Sequence, residues 1–127
     1  MRLKPDFTGA ANTIRAYDAG YIRINDQTIR RSVIVTPERL ITDWPPQSFT
    51  ELQADHLEQL LALEPEIVLL GTGARQHFLH PRLTYPLLSR GMGIEVMATV
   101  AACHTYNFIM AEGRRVVAAL LPIDRES

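Results

Sequence analysis

The sequence predicts a mixed α/β fold, in which an antiparallel meander leads into a β-α-β-α-β segment with parallel strands. Three observations predict it. Residues 13–42 carry short runs rich in β-branched and aromatic residues, several alternating with period two, separated by turn residues. Residues 66–121 alternate apolar strand-like runs, "EIVLLG", "GIEVMA" and "RRVVAALLP", with helix-like segments. The connections between those runs are long enough for crossovers, which favour parallel pairing and a right-handed path.

In order, residues 1–12 contain Pro5, Gly9 and small polar residues without periodicity, so they read as a flexible arm before a single domain at 13–127. "TIRAY", "YIRI", "TIRRSVIV" and "RLIT" form the meander, with Ile22 and Ile24 on one face and Arg23 on the other. Asp18-Ala19-Gly20, Asn25-Asp26 and Pro37-Glu38 are its turns; both residues of Asn25-Asp26 tolerate positive φ, as a two-residue hairpin requires. "DWPPQSF" ends strand formation, because Pro45 and Pro46 have no N–H to donate. Ser48 and Glu51 have the spacing of a capping box. "DHLEQLLALEP" places Leu57, Leu60, Leu61 and Glu64 at helical spacing, and Pro65 closes that helix.

Beyond "EIVLLG", the segment "PRLTYPLLSRG" reads as a short helix ending at Gly91, with Pro86 near its first turn. "TVAACHTYNFIMAEG" reads as a helix from a Thr99 cap to Gly113. It is apolar nearly all round, so it should be largely buried.

Bulk properties narrow the function. The 127 residues suit one domain, with 46% hydrophobic and 21% charged residues. A net charge of −1 gives no basic excess for a phosphate backbone, which argues against nucleic acid as a partner. No apolar run is long enough to span a bilayer, and the first residues resemble neither a secretory signal nor an organelle presequence. The expected compartment is the cytoplasm. Cys103 is the one cysteine, so neither an intrachain disulfide nor a thiolate zinc site can form.

The turn after "IVLL" decides more. Gly71 and Gly73 match the first two glycines of a dinucleotide fingerprint, but Gln76 stands at the third and no P-loop lysine follows. The dinucleotide reading fails. A weaker one survives: if strands 67–70 and 94–97 are parallel, Gly71-Thr72-Gly73 and the helix start at Thr99 face one crevice, with Arg75 nearby. The alternative is that the glycines relieve a bend and Thr99 only caps its helix, and on the residues alone that is preferred.

Other candidates favour structure over chemistry. Asn107 ties a loop to its helix, Tyr106 packs, and Cys103 is a small core residue about 100° around the helix from His104. His77 and His80 lack a third ligand, and no carboxylate pair reads as a general acid and base. No catalytic residue, cofactor or metal is assigned. Trp44 with Pro45 and Pro46 looks exposed in the sequence; it reads as a plug for the meander edge, the more ordinary role, or as a contact for another protein.

Taken together, "SVIV…ERLITDWP", "PEIVLLGTGARQ" and "GMGIEVMATVAACHTYNFIMAEGRRVVAAL" resemble a family of small domains of unknown function. Its eukaryotic relatives include mitochondrial complex I assembly factor 3. The resemblance spans roughly residues 13–121. It implies one α/β domain, no established enzymatic activity and action through other proteins. The family's motifs fall on Trp44, Pro45, Gly71, Thr72, Gly73, Thr99, Ala102, Thr105, Tyr106 and Asn107, which on this basis would enclose the crevice. The first expectation is therefore a non-catalytic binding module that assists assembly of a larger, respiratory complex. The second is a small-molecule or anion-binding protein with its pocket between Gly71-Thr72-Gly73 and Thr99. Nothing in the residues specifies the partner or the oligomeric state.

Overall fold

β1 (Ile14–Asp18), β2 (Tyr21–Ile24) and β3 (Gln27–Ile29) pair antiparallel in that order, the first part of the expected meander. The structure, a computed structural model, describes residues 11–124, so residues 1–10 of the expected arm lie outside the described residues. Ile22 and Ile24 are buried while Arg23 between them is exposed, as period-two alternation requires. The β2–β3 turn is the two-residue Asn25-Asp26 hairpin, with Asn25 at φ 52°.

Asn12, placed in the loose arm by the sequence, is held. Its N–H donates to Pro37 O at 2.9 Å, and its amide nitrogen donates to Thr36 O and Arg39 O at 2.9 and 3.0 Å. Asn25 reaches it from the other side through a 2.9 Å amide–amide bond. An asparagine whose side chain satisfies turn carbonyls has little freedom left.

The rest of the meander leaves the first sheet. β4 (Val33–Val35) and β5 (Leu40–Ile41) join a five-stranded sheet ordered β5-β4-β8-β6-β7. The reason lies in "VIV": all three residues are buried, so this strand has no polar face to offer solvent and needs cover on both sides. β6 (Ile67–Gly71), β7 (Gly93–Met97) and β8 (Val116–Leu120) supply the expected parallel part, with β6 pairing parallel to both neighbours and β4 antiparallel to β8.

Alternation then sorts the core into two layers. Val33, Val35, Leu69, Val116, Ala118 and Leu120 face one side, where they meet α3 (Thr99–Ala111) and the isoleucines of the small sheet. Ile34, Val68, Leu70, Val117 and Ala119 face the other, covered by α1 (Ala54–Glu58), its 3₁₀ continuation Gln59–Leu63, and α2 (Pro81–Leu88). At ~25 cal/mol per Å² of apolar surface, two such layers supply most of the drive for folding.

Two local expectations change and a third holds. Ser48 and Glu51 make no capping box: a 3₁₀ turn spans Phe49–Glu51, and the Glu51 carboxylate accepts from the Gln47 N–H at 2.8 Å instead. α2 begins at Pro81 behind His80, whose Nδ1 accepts from Arg82 N at 3.0 Å, so Pro86 lies in the second turn rather than the first. Gly91 does end the helix as expected. It has φ +77°, and bonds from Gly91 N to Leu88 O and from Met92 N to Leu87 O form a Schellman pattern. Among the described residues, no helix is long and apolar enough to cross a membrane.

Candidate functional site

β6 and β7 run parallel side by side, with Gly71 opposite Met97, so the bend after β6 and the start of α3 share one rim of the sheet. They are stitched together there. Thr99 N donates to Gly73 O at 2.9 Å, and Gly73 N donates to Thr99 Oγ1 at 2.8 Å. The same hydroxyl donates to Leu121 O at 2.8 Å, which adds the end of β8 to the joint. Contrary to the sequence expectation, Thr99 does not cap α3. Ala98 holds the cap position and the Thr99 side chain turns into the sheet.

The expected crevice is filled by these contacts. Thr72 and Thr99 are both buried, and a Cβ placed on Gly71 would lie 2.8 Å from Thr99 Oγ1. Thr72 N donates to Met97 O at 2.9 Å, while the Thr72 hydroxyl donates to Arg75 O at 2.7 Å and accepts from His77 N at 3.2 Å. Gly73, at φ +107°, allows the turn that brings these groups together. The N–H groups of Thr72, Gly73 and Thr99 and both threonine hydroxyls, which an anion in the crevice would need, are already paired within the joint.

The remaining predicted residues divide between neighbours. Arg75 is exposed on the loop that Thr72 organises. Asn107 stands in for a strand beside β1, accepting from Ile14 N at 2.9 Å and donating Nδ2 to Ile14 O at 2.8 Å. Tyr106 is buried and its hydroxyl donates to Asn12 O at 2.7 Å. Burial, and then the charge of Glu38, push that phenol upward in pKa, so it stays a neutral donor. Thr105, half-buried, lies on the same helix. The segment "AACHTYN" thus fastens the small sheet to α3.

Trp44 is the clearest correction. It is 0% exposed, packs in the layer of Leu57 and Leu60, and donates Nε1 to His56 O at 3.3 Å. Asp43 and Pro45 on either side of it are exposed, while Pro46 and the Gln47 amide turn the chain and fold the indole inward. Trp44 offers no surface to a partner.

Cys103 is buried against the sheet, and burial pushes its thiol up to about 12. We expect no reaction with a thiol reagent at pH 8 in the native state and full reaction in denaturant. The sign follows from linkage. The folded thiol holds its proton longer than the unfolded one at 9.0, so its contribution to stability is complete below pH 9 and is lost between about 9 and 12. Rapid native-state modification would contradict the burial.

Sequence reasoning missed a cavity of about 340 Å³ at the other end of the sheet. It lies between the β4–β5 turn (Thr36 to Arg39), Leu63, Met110 at the end of α3, and the residues entering β8 from Arg114 to Val117. The signal available was "RRVV", two arginines set directly against a wholly apolar strand.

Residues 14–121 match the model of a protein family of unknown function, DUF498/DUF598. The chain belongs to that family. The resemblance read from the sequence is thereby confirmed over nearly the same span. Zebrafish (Danio rerio) NADH dehydrogenase [ubiquinone] 1 alpha subcomplex assembly factor 3 is 35% identical over 115 residues, covering 89% of this chain and 66% of that protein. The chain spans between 49% and 66% of the length of the first curated relatives it matches. Among solved structures, a Bordetella parapertussis protein is 46% identical with a TM-score of 0.85, covering 91% of this chain and 98% of that one. A Bordetella pertussis protein described as a Mth938-like domain is 38% identical with a TM-score of 0.82, covering 98% and 94%. The DUF498/DUF598 fold is thus the α/β arrangement described above.

Proposed function

We propose that this DUF498/DUF598 chain is a non-catalytic binding module that assists assembly of a larger respiratory complex, presenting the outer face of α3 to a protein partner. The observation that carries the reading is the mismatch between that helix's sequence and its setting. "TVAACHTYNFIMA" has the character of a helix covered on every side, yet Val100, Ala101 and Phe108 are open to solvent. Phe108 is 68% exposed and Val100 37%, and they lie on the same face as the exposed His104 at i, i+4 and i, i+8 spacing. Exposed apolar side chains flanking His104 on an otherwise core-like helix are where an assembly partner gains affinity by excluding water. The names of the curated relatives support the class of partner, subunits of the respiratory NADH dehydrogenase.

The test is affinity purification of the tagged chain from its native host, beside Phe108→Glu. Wild type is expected to retain NADH dehydrogenase subunits, and Phe108→Glu to retain at least about tenfold less, since a buried charge costs several kcal/mol at an interface. Its melting temperature should be unchanged, because the side chain contacts water in the free protein. Recovery of no such subunit with wild type defeats the reading. Equal recovery with Phe108→Glu moves the contact off α3.

A further inference from the structure

The cavity at the start of β8 is a consequence of how β4 ends. β4 and β8 pair as Val33 with Leu120, Ile34 with Ala119 and Val35 with Ala118. The next two positions of β8, Val117 and Val116, would face Thr36 and Pro37. There the ladder stops: Pro37 has no N–H, and Thr36 folds the chain back, its hydroxyl accepting from Glu38 N and Arg39 N at 3.2 and 2.9 Å. β8 continues to Val116 with β6 alone on its other side, and the gap left by β4 is the cavity.

Its lining has two characters. Leu63, Met110 and Val116 give it apolar walls, while Arg39, Arg114 and Arg115 stand around it with Glu38. The charges do not cancel. Arg114 faces Glu66 at 3.5 Å, whereas Arg115 gives its Nε to a neutral acceptor, Glu64 O, at 3.1 Å. The Arg39 guanidinium is exposed and meets no acceptor among the described residues. Among the charged residues lining the cavity, Arg39, Arg114 and Arg115 outnumber Glu38, and of the three Arg114 is the one in an ion pair, with Glu66 outside the lining.

We infer that this cavity binds a small monocarboxylate with an apolar body, its carboxylate held by Arg39 and Arg115 and its chain against Leu63 and Met110. The volume, about 340 Å³, is at the lower end of small-molecule sites, which limits the ligand to a short chain or one ring. The cationic side of the lining suits an anionic head, and guanidinium groups pair carboxylates through parallel N–H donors. The site is independent of the α3 face and of any assembly role.

Octanoate serves as the probe, with octanol and octylammonium as controls, in a backbone amide NMR titration of the full chain. Octanoate is expected to give saturable shifts confined to the cavity lining, at residues 11, 36, 38–39, 62–63, 110 and 113–117, and their immediate neighbours, with a midpoint below about 5 mM. Neither control should reproduce them. Arg39→Gln, at a side chain with no hydrogen-bond partner among the described residues, should weaken octanoate at least about fivefold while leaving the rest of the spectrum in place. The inference is overturned if octanoate gives no saturable shift there, if octanol binds as well, or if Arg39→Gln leaves the midpoint unchanged.

Discussion

Gly71→Ala is expected to destabilise the protein by on the order of 3 kcal/mol, although alanine is the smallest possible addition. The reason is space, not backbone conformation. The new methyl would sit 2.8 Å from Thr99 Oγ1, 2.9 Å from Thr99 Cα and 3.1 Å from Leu120 Cδ2. Oγ1 cannot rotate away without losing its bonds to Gly73 N and Leu121 O, each worth about 1 kcal/mol in place and more if a buried group is left unpaired. The second of those clashes is with the helix backbone, so α3 itself must lift from the sheet. For a domain of this size the melting temperature should fall by roughly 10–15 °C, read by calorimetry or circular dichroism. Adding Thr99→Ala should recover little, because the backbone clash remains while the seam loses its hydroxyl. An unchanged melting temperature for Gly71→Ala would show that the joint is slack, and would reopen the crevice as a place for a ligand.

The same joint shows how far the residues alone could go. Parallel pairing of 67–70 with 94–97, and hence a shared rim for Gly71 and Thr99, was legible from apolar runs and crossover length. What fills the rim was not. Thr99 finds its acceptor on Leu121, beyond the end of a strand that local pattern cannot place beside it. Asn107 was readable as a tie because a polar residue on an apolar helix must find partners, but its partner, the backbone of Ile14, lies at the opposite end of the chain. The division of the meander was present in "SVIV", whose lack of a polar face marks a strand covered on both sides. The cavity left few traces, since it is a gap made where Thr36 and Pro37 leave the ladder while β8 continues.

Trp44→Ala is expected to cost about 3–5 kcal/mol, the range for removing a buried large aromatic side chain, and to lower the melting temperature by roughly 10–20 °C. The sequence leaves the residue between two roles: a tryptophan before two prolines, in a segment that cannot pair in a sheet, looks exposed and reads as an edge plug or a protein contact. The prolines are instead what directs it inward. Pro45 is exposed, Pro46 is buried with its carbonyl accepting from the Ser32 hydroxyl, and the Gln47 amide donates to Trp44 O and Pro45 O at 3.2 Å. This holds the segment beside the start of β4, so that the indole enters the layer of Ile34, Leu57 and Leu60. The ring also stands edge-on to His56, with centroids 6.4 Å apart, and its N–H donates to the carbonyl of that residue. Trp44→Phe therefore keeps much of the packing and leaves His56 O without its donor, a smaller loss of about 1–2 kcal/mol. Trp44 is the one tryptophan, so its own emission reports on the wild type: blue-shifted when folded and moving to longer wavelength on unfolding. If it were a partner contact, Trp44→Ala would leave the melting temperature in place and weaken only the pull-down. A stable Trp44→Ala protein with a weakened pull-down would therefore place the assembly interface on the "WPP" segment instead of α3.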